Sequence, residues 1–477
     1  YSSQKVDGSV VNAVPTTNFL NNLSGKVAGL EIRNNSNFGG STNIVMRGTK
    51  SITGNNQVLI VIDGVPVNNT NLNTADAANS RDGFDFGNSA SDIDPNNIES
   101  INVLKGAAAT ALYGSDASNG ALIITTKKGK KSTALGVNFS STFSTGQIDK
   151  TTFAKYQNSY GGGGYDGHDN LIVTDVNGDG VDDLLVPTGY DISYGNAFDP
   201  NLSVYQWNAF APGNPNFGKS TPWVAAKHDP SDFFEKSVGY VNSLNFSGGD
   251  EKTTYSVTLT NNKETGVLPN SLLLKNTISS NFSRDLNDKI KLGFTLNFTD
   301  QSTKGRNNLG YGDNFLGGFR QWWQTNVDVS ELRREYFRAN QNVTWNMNDP
   351  LSGDLSPAYW NNPYWDRYEN YETDRHNRLI LGANLSYDIT KNFNVFGRVT
   401  LERTNDKQEL RKAIGSHPEE FGVSQISEGS GYQLFTRNFA QETYDFIATY
   451  DLKLTEKLGA KLLAGSTLKH SLSYSFL

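Results

Sequence analysis

Oxygen-bearing side chains at metal-ligand spacing occur in one stretch, Asp175-Val176-Asn177-Gly178-Asp179-Gly180-Val181-Asp182-Asp183. It matches the D-x-[DN]-x-[DN]-G opening of a calcium loop. Asp175, Asn177, Asp179 and Asp183 put oxygens at positions one, three, five and nine, the Val181 carbonyl falls at seven, and Gly180 permits the sharp turn. Position twelve is Val186 where a bidentate glutamate belongs, and no helical pattern flanks the loop, so it is not an EF-hand. The preferred reading is a structural Ca2+ clamping a long loop. The alternative is a solvated turn rich in Asx residues.

Other chemistry is sparse. Gly161 to Gly167 contains a formal G-x-G-x-x-G, but no strand precedes it and no helix comes after, so it reads as a flexible loop. The five histidines, His168, His228, His376, His417 and His470, are scattered, with no H-E-x-x-H or G-x-S-x-G. An acid pair such as Glu419 and Glu420 reads as a solvated face. The chain has no cysteine, which removes thiol catalysis, disulfides and thiolate metal sites. No enzyme and no catalytic cofactor is expected.

All seven tryptophans, Trp207, Trp223, Trp322, Trp323, Trp345, Trp360 and Trp365, fall in two long connections. Indoles there either stack on sugar rings or hydrophobic peptide side chains, bind a partner, or hold the connections together as small cores. Tyr311, Phe319, Trp322 and Trp323 are the first choice for a cluster facing a bound molecule or partner.

The elements around these residues are set by composition and period. A net charge of −7 and a pI near 5.4 over 477 residues argue against a nucleic-acid partner, because no basic stripe replaces counterions on phosphate. The mean hydropathy is −0.52, and the longest apolar run, Val58 to Ile62, stops at Asp63, far short of the ~20 residues of a membrane helix. A membrane β-barrel remains open, since its strands alternate. Alternation takes over after residue 131. Leu292, Phe294, Leu296 and Phe298 point one way and Lys291, Gly293, Thr295 and Asn297 the other. The pattern recurs at Tyr255, Val257 and Leu259, at Leu379 to Tyr387, and at Tyr444 to Leu452. The segments are near the ~9–11 residues a tilted membrane strand needs, and their polar faces are small or amide-rich. Turns such as 284–289 and 388–392 are short, whereas 146–236 and 300–378 are very long. Long connections on one side and short turns on the other are the outer-membrane arrangement.

The first 130 residues are of another kind. Leu20, Leu23, Val27 and Leu30 fall at helical spacing, predicting a helix that ends near Gly29. Ile44 to Arg47 and Val58 to Ile62 are strand-like, with Asp63-Gly64 as a turn. Ile98 to Leu104 is a strand, Ala107 to Tyr113 a helix and Ala121 to Thr126 a strand, with Gly114 and Gly120 bracketing the intervening turn. The strand-to-helix join, Lys105-Gly106, lacks a phosphate-binding fingerprint, so the unit reads as a compact structural domain. Arg47 and Asp63 read as core or turn residues of this domain, or as charged contacts to whatever surrounds it.

Four motifs in a fixed order, LSGKVAGLEI at 23–32, IVMRGT at 44–49, VLIVIDGVP at 58–66 and IESINVLKGAAATALYGSDASNGALIITTKKG from Ile98, resemble the plug domain of SusC-type (RagA-like) TonB-dependent outer-membrane transporters. Arg47, Gly48, Asp63, Gly64, Tyr113, Gly114 and Gly120 are the motif residues. The resemblance implies an α+β plug domain (1–130) inside a transmembrane antiparallel β-barrel whose first part is 131–477. It further implies the outer membrane of a Gram-negative bacterium. The function implied is import of oligosaccharides or oligopeptides driven by the TonB complex, with a SusD-like surface lipoprotein as lid. Phe84, Asp85 and Phe86 would then face substrate from the plug. A different class of function, a structural subunit docking other surface lipoproteins or envelope-assembly proteins, is the alternative. About ten strand-like segments lie beyond residue 131, whereas a plugged transporter has roughly 22. The chain is therefore expected to be part of a longer one, lacking a leader and the family's energy-coupling box.

Overall fold

The computed structural model describes residues 3–12, 18–34, 37–52, 56–67, 69, 73, 77, 79, 82–132, 134–164, 170–310, 314–420, 427–453, 455 and 458–477. Tyr311 lies outside them.

The plug is built on a five-stranded sheet. Its strands are β1 (Ser3–Asp7), β4 (Leu59–Ile62), β5 (Val65–Val67), β6 (Ile98–Leu104) and β7 (Ala121–Thr126), in the order β1-β6-β7-β4-β5. A separate hairpin joins β2 (Leu30–Asn34) to β3 (Thr42–Met46). The helix α1 (Ala107–Tyr113) connects β6 to β7, yet these strands run antiparallel, Ile101 opposite Ile124, while β7 pairs in parallel with β4. The unit is thus no right-handed βαβ crossover and opens no nucleotide site. Ile60, Ile101, Val103, Leu122 and Ile124 make the core with Leu20, Leu23 and Val27. Those last three are buried as their spacing suggested, but the helix stops after one short 3-10 stretch, Phe19–Leu23. Gly25 and Gly29 sit at φ 75° and 76°, a conformation that ends helices.

The rest of the chain forms a nine-stranded antiparallel sheet that does not close on itself. Its strands in chain order are β8 (Gly136–Gly146), β9 (Ser237–Gly249), β10 (Thr253–Thr265), β11 (Leu272–Asp285), β12 (Ile290–Lys304), β13 (Glu372–Asp388), β14 (Phe393–Lys412), β15 (Gly431–Lys453) and β16 (Gly459–Phe476), each beside the next. Register confirms the alternation. Phe294 lies opposite Phe282 and Ala383, Leu381 opposite Leu296 and Leu401, and Val399 opposite Tyr444, all on the face away from the plug. The other face carries Thr258, Thr277, Ser279, Thr299, Gln301 and Thr400, buried against the plug. Among the described residues no helix is long and apolar enough to cross a membrane.

The two long connections fold into a domain of their own on one end of the wall. The helices α2 (Phe315–Gln321), α3 (Val329–Ala339) and α4 (Pro363–Tyr368) surround a second core of Trp207, Phe233, Phe319, Trp323, Val327, Trp345 and Tyr364. Asp328 caps α3 through Ser330 and Glu331 N–H, and Asn340 ends it in the left-handed region.

Candidate functional site: the seam between plug and wall

Charged side chains on the plug-facing side of β13 and β14 converge on one plug turn. A short 3-10 stretch, Ser89–Asp92, and the next, Pro95–Asn97, lead into β6 and press against the wall. Asp92 Oδ2 lies 2.9 Å from His376 Nε2 and 3.2 Å from Arg378 Nη1. The second ring nitrogen of His376 is 2.5 Å from Asp406, which also takes Arg437 at 3.1 Å, and Arg378 donates to Glu402 at 2.7 Å. Lys275 donates to the Ser91 carbonyl. Burial alone raises the Asp92 carboxyl, but His376, then Arg378 and Lys275, draw it below its usual 3.8. Hydroxyls complete the contact: Thr299 donates to the Asp92 carbonyl at 3.1 Å, and Thr260 and Thr277 reach Asp94 Oδ2 at 2.5 and 3.2 Å.

Two further arginines hold the plug at other levels. Arg306, 1 % exposed, bonds Asp374 at 2.6 Å and donates to the carbonyls of Phe38 and Asp85 at 2.9 and 2.8 Å. Arg398 spans Asp445 in the wall and the Asp63 and Gly64 carbonyls in the plug, at 3.3 and 2.9 Å. Above the seam Arg367 donates to the Pro269, Arg306 and Gly305 carbonyls. Burial draws its guanidinium down to about 10, which leaves it charged at neutral pH. A cavity of about 520 Å3 opens where the outer plug strand β5 faces β15 and β16, between Pro66, Asp116, Phe439 and Lys469.

The expected site residues are spread over the plug, the connection core and a separate hairpin. Asp85 is fully buried, accepting from Ser41 N–H and hydroxyl, Asn73 and Gly87; those bonds hold its carboxyl below the usual range although burial raises it. Phe84 and Phe86 are half-buried beside it, their rings 6.1 Å apart, and Phe86 lies 5.9 Å from the Arg306 guanidinium. Phe319 and Trp323 stand edge to face at 5.3 Å inside the connection core, and Trp322 is half-buried next to them. Of the motif residues, Arg47 is exposed with φ 58°, with Gly48 next in the chain, and Tyr113 is half-buried ahead of Gly114. Asp63 and Gly64 make the β4–β5 turn, with the Asp63 carboxylate on Thr126 N–H and hydroxyl.

The acidic loop lies far from this seam. It joins the short strands Ile172–Thr174 and Asp183–Leu185 as a hairpin turn. Asp175 accepts from Gly178, Asp179 and Gly180 N–H, Asp183 from Val176 N–H, and Asp179 from the Asn177 amide and Val181 N–H; Val181 is exposed. Among the described residues no group of three or more His, Asp or Glu side chains is arranged to hold a metal ion. Gly161 and Gly162 are buried under Trp223 and Gln324, so 161–164 is a packed segment rather than a flexible loop.

The reading from sequence missed the seam charges, Asp92, Arg306, His376, Arg378, Glu402 and Asp406. Their signal was alternation of charge: Asp374, His376 and Arg378 occupy every second position of one strand, and Glu402, Thr404 and Asp406 the same face of the next.

Buried charges thus pin the plug to the polar face of an antiparallel wall. Residues 1–121 match the TonB-dependent Receptor Plug Domain family. The chain is also similar to the SusC type: it is 41% identical over 136 residues to the TonB-dependent receptor SusC of Bacteroides thetaiotaomicron, covering 28% of this chain and 12% of that one. A TonB-dependent receptor of Formosa agariphila is 26% identical over 338 residues, 70% of this chain and 27% of its own. The fold is similar to that in the structure of the RagAB peptide importer in its closed-closed state, with a TM-score of 0.62 at 17% identity over 99% of this chain and 48% of the other. The chain thus spans less than half the length of each of these relatives.

Proposed function

We propose that this chain forms the plug and part of the barrel wall of a TonB-dependent importer that carries oligosaccharides or oligopeptides across the outer membrane, working with a SusD-like lipoprotein as lid. The observation that carries this reading is the polar seam. A permanent structural core would be sealed by apolar contacts, whereas Asp92, Asp94, Arg306, Arg398 and the wall threonines hold the plug through hydrogen bonds and ion pairs. Such contacts break and re-form one at a time, and water replaces each as it opens. The wall supplies shape and the seam supplies the gate; no bond in the cargo is made or broken. In this reading cargo held under the lid loosens the upper seam, where Arg306 binds the Phe38 and Asp85 carbonyls, and force from the TonB complex draws the plug aside.

The test is uptake of labelled oligosaccharide and oligopeptide pools by cells carrying or lacking the full-length gene, with the TonB complex intact or inactivated. Import of one pool that needs both the gene and TonB supports the reading and names the cargo. Equal uptake of both pools in all strains, with the protein present in the membrane, would overturn it in favour of a docking subunit.

A further inference from the structure

We propose that the outward face of the wall, at the end bearing the long connections, carries a site for a phosphate-bearing lipid of the surrounding leaflet, with Arg375, Lys407, Lys304 and Arg411 on its phosphate. Register places Arg375 directly opposite Lys407 on β13 and β14, on the face turned away from the plug, with side chains 60% and 51% exposed. Two like charges opposed across neighbouring strands repel, and an anion placed between them offsets that repulsion. Lys304 flanks Arg375 from β12, its ammonium 4.3 Å from the Tyr371 ring, and Arg411 lies 5.2 and 5.7 Å from the rings of Tyr371 and Tyr432. Two carboxylates share the face: Asp300 at 2.9 Å from Arg375, and Glu409 at 3.1 Å from Lys407 and 3.3 Å from Arg411. Four cations against two carboxylates leave a positive excess at one level of the wall.

A tail site lies beneath that head site. Toward the short turns the same face passes from Asn377 and Asn405 to Leu379, opposite Arg403, which is paired with Glu442 at 3.2 Å; between β11 and β14 it then becomes apolar. There Phe282, Phe294, Leu296, Leu381, Ala383, Val399 and Leu401 line a groove of about 340 Å3, with the small Ala383 as its floor. Arg375 and Leu381 are six residues apart on one strand, on the order of 20 Å, the reach of an acyl chain below its headgroup. A free anion explains the cations but not the groove, and an uncharged lipid the groove but not the cations; a phosphorylated lipid explains both. The inference rests on reading the wall as membrane-embedded.

The experiment uses the full-length protein purified in a mild non-ionic detergent. Lipid retention is read by native mass spectrometry, and melting temperature is recorded with added diphosphorylated lipid A, dephosphorylated lipid A or inorganic phosphate. Diphosphorylated lipid A is expected to stay bound and raise the melting temperature, and Arg375→Gln with Lys407→Gln to weaken retention about tenfold or more, as expected for loss of two charge-assisted contacts. Arg375→Lys keeps the charge and should retain the lipid, and circular dichroism checks that each variant is folded. Equal retention by the double variant, or equal effects of dephosphorylated lipid A or inorganic phosphate, overturns the site. A protein that leaves the membrane without detergent instead overturns the reading of the wall, and the two failures are distinguishable.

Discussion

Asp92 shows how much one carboxylate does at the seam. It lies 2.9 Å from His376 and 3.2 Å from Arg378 in a buried setting, and it balances Lys275 nearby. Asp92→Asn leaves those cations without their partner, and breaking a buried pair from one side costs about 3–5 kcal/mol. Hydrogen-exchange mass spectrometry on residues 89–97 should read this as a matching loss of protection, with the distant 172–185 hairpin unchanged. The pH dependence has a definite sign. Because the Asp92 carboxyl is held below its ordinary 3.8 in the folded protein, its contribution is complete above that value and is lost as pH falls through the lower folded value. Below about pH 4 the melting temperature of the wild type should therefore fall more steeply than that of Asp92→Asn. Parallel curves would place the seam's stability elsewhere.

At the scale of elements, two predictions separate scaffold from site. Trp323 is packed between Phe319 and Trp345, with ring centroids 5.3 Å apart in each pair. Trp323→Ala removes a buried indole, a change of about 3–5 kcal/mol, and should expose residues 315–345 to limited proteolysis while the wall strands stay protected. Unchanged cleavage would mean that the indole serves cargo rather than the connection core. In the plug, Gly120 precedes β7 at φ 98°, and a Cβ there would meet Met46 Sδ at 2.6 Å and the Leu104 carbonyl at 3.0 Å. Gly120→Ala should cost about 1–3 kcal/mol, visible as a lower denaturation midpoint. Gly114→Ala has the same kind of φ, 64°, but open space around it, so it should cost less. These elements were largely legible beforehand. The 98–126 strand, helix and strand arise from β-branched runs, an alanine helix and bracketing glycines, all local signals. The helix expected through Leu30 was not formed, because its apolar spacing served a buried turn as well as a helix and two left-handed glycines decided between them.

At the scale of the whole molecule, the proposed gating requires the plug to move against the wall. Thr126 Oγ1 and Asn281 Nδ2 face each other across the seam at 2.9 Å, and the chain has no cysteine of its own. A Thr126→Cys, Asn281→Cys pair should form one disulfide under oxidation and stop uptake, with recovery on reduction and no effect from either single change. Uptake that persists with the bond formed would show that cargo passes without plug displacement.

By itself the sequence determined the parts: a plug with its motif order, strands that alternate for a wall with two environments, long connections opposite short turns, and the absence of thiol chemistry. Period and turn chemistry are local properties, and they survive whatever the chain does at long range. Only the tertiary structure decided the partners. Asp92 and His376 are 284 residues apart in the chain, Phe38 and Arg306 are 268, and nothing in the neighbourhood of either member names the other. The same holds for Arg375 and Lys407, whose opposition depends on the register of β13 against β14. A shift of one residue would turn every side chain of a strand to the opposite face. Register is fixed by the packing of the whole sheet, and so the seam and the charged outer face become visible only when the strands are laid side by side.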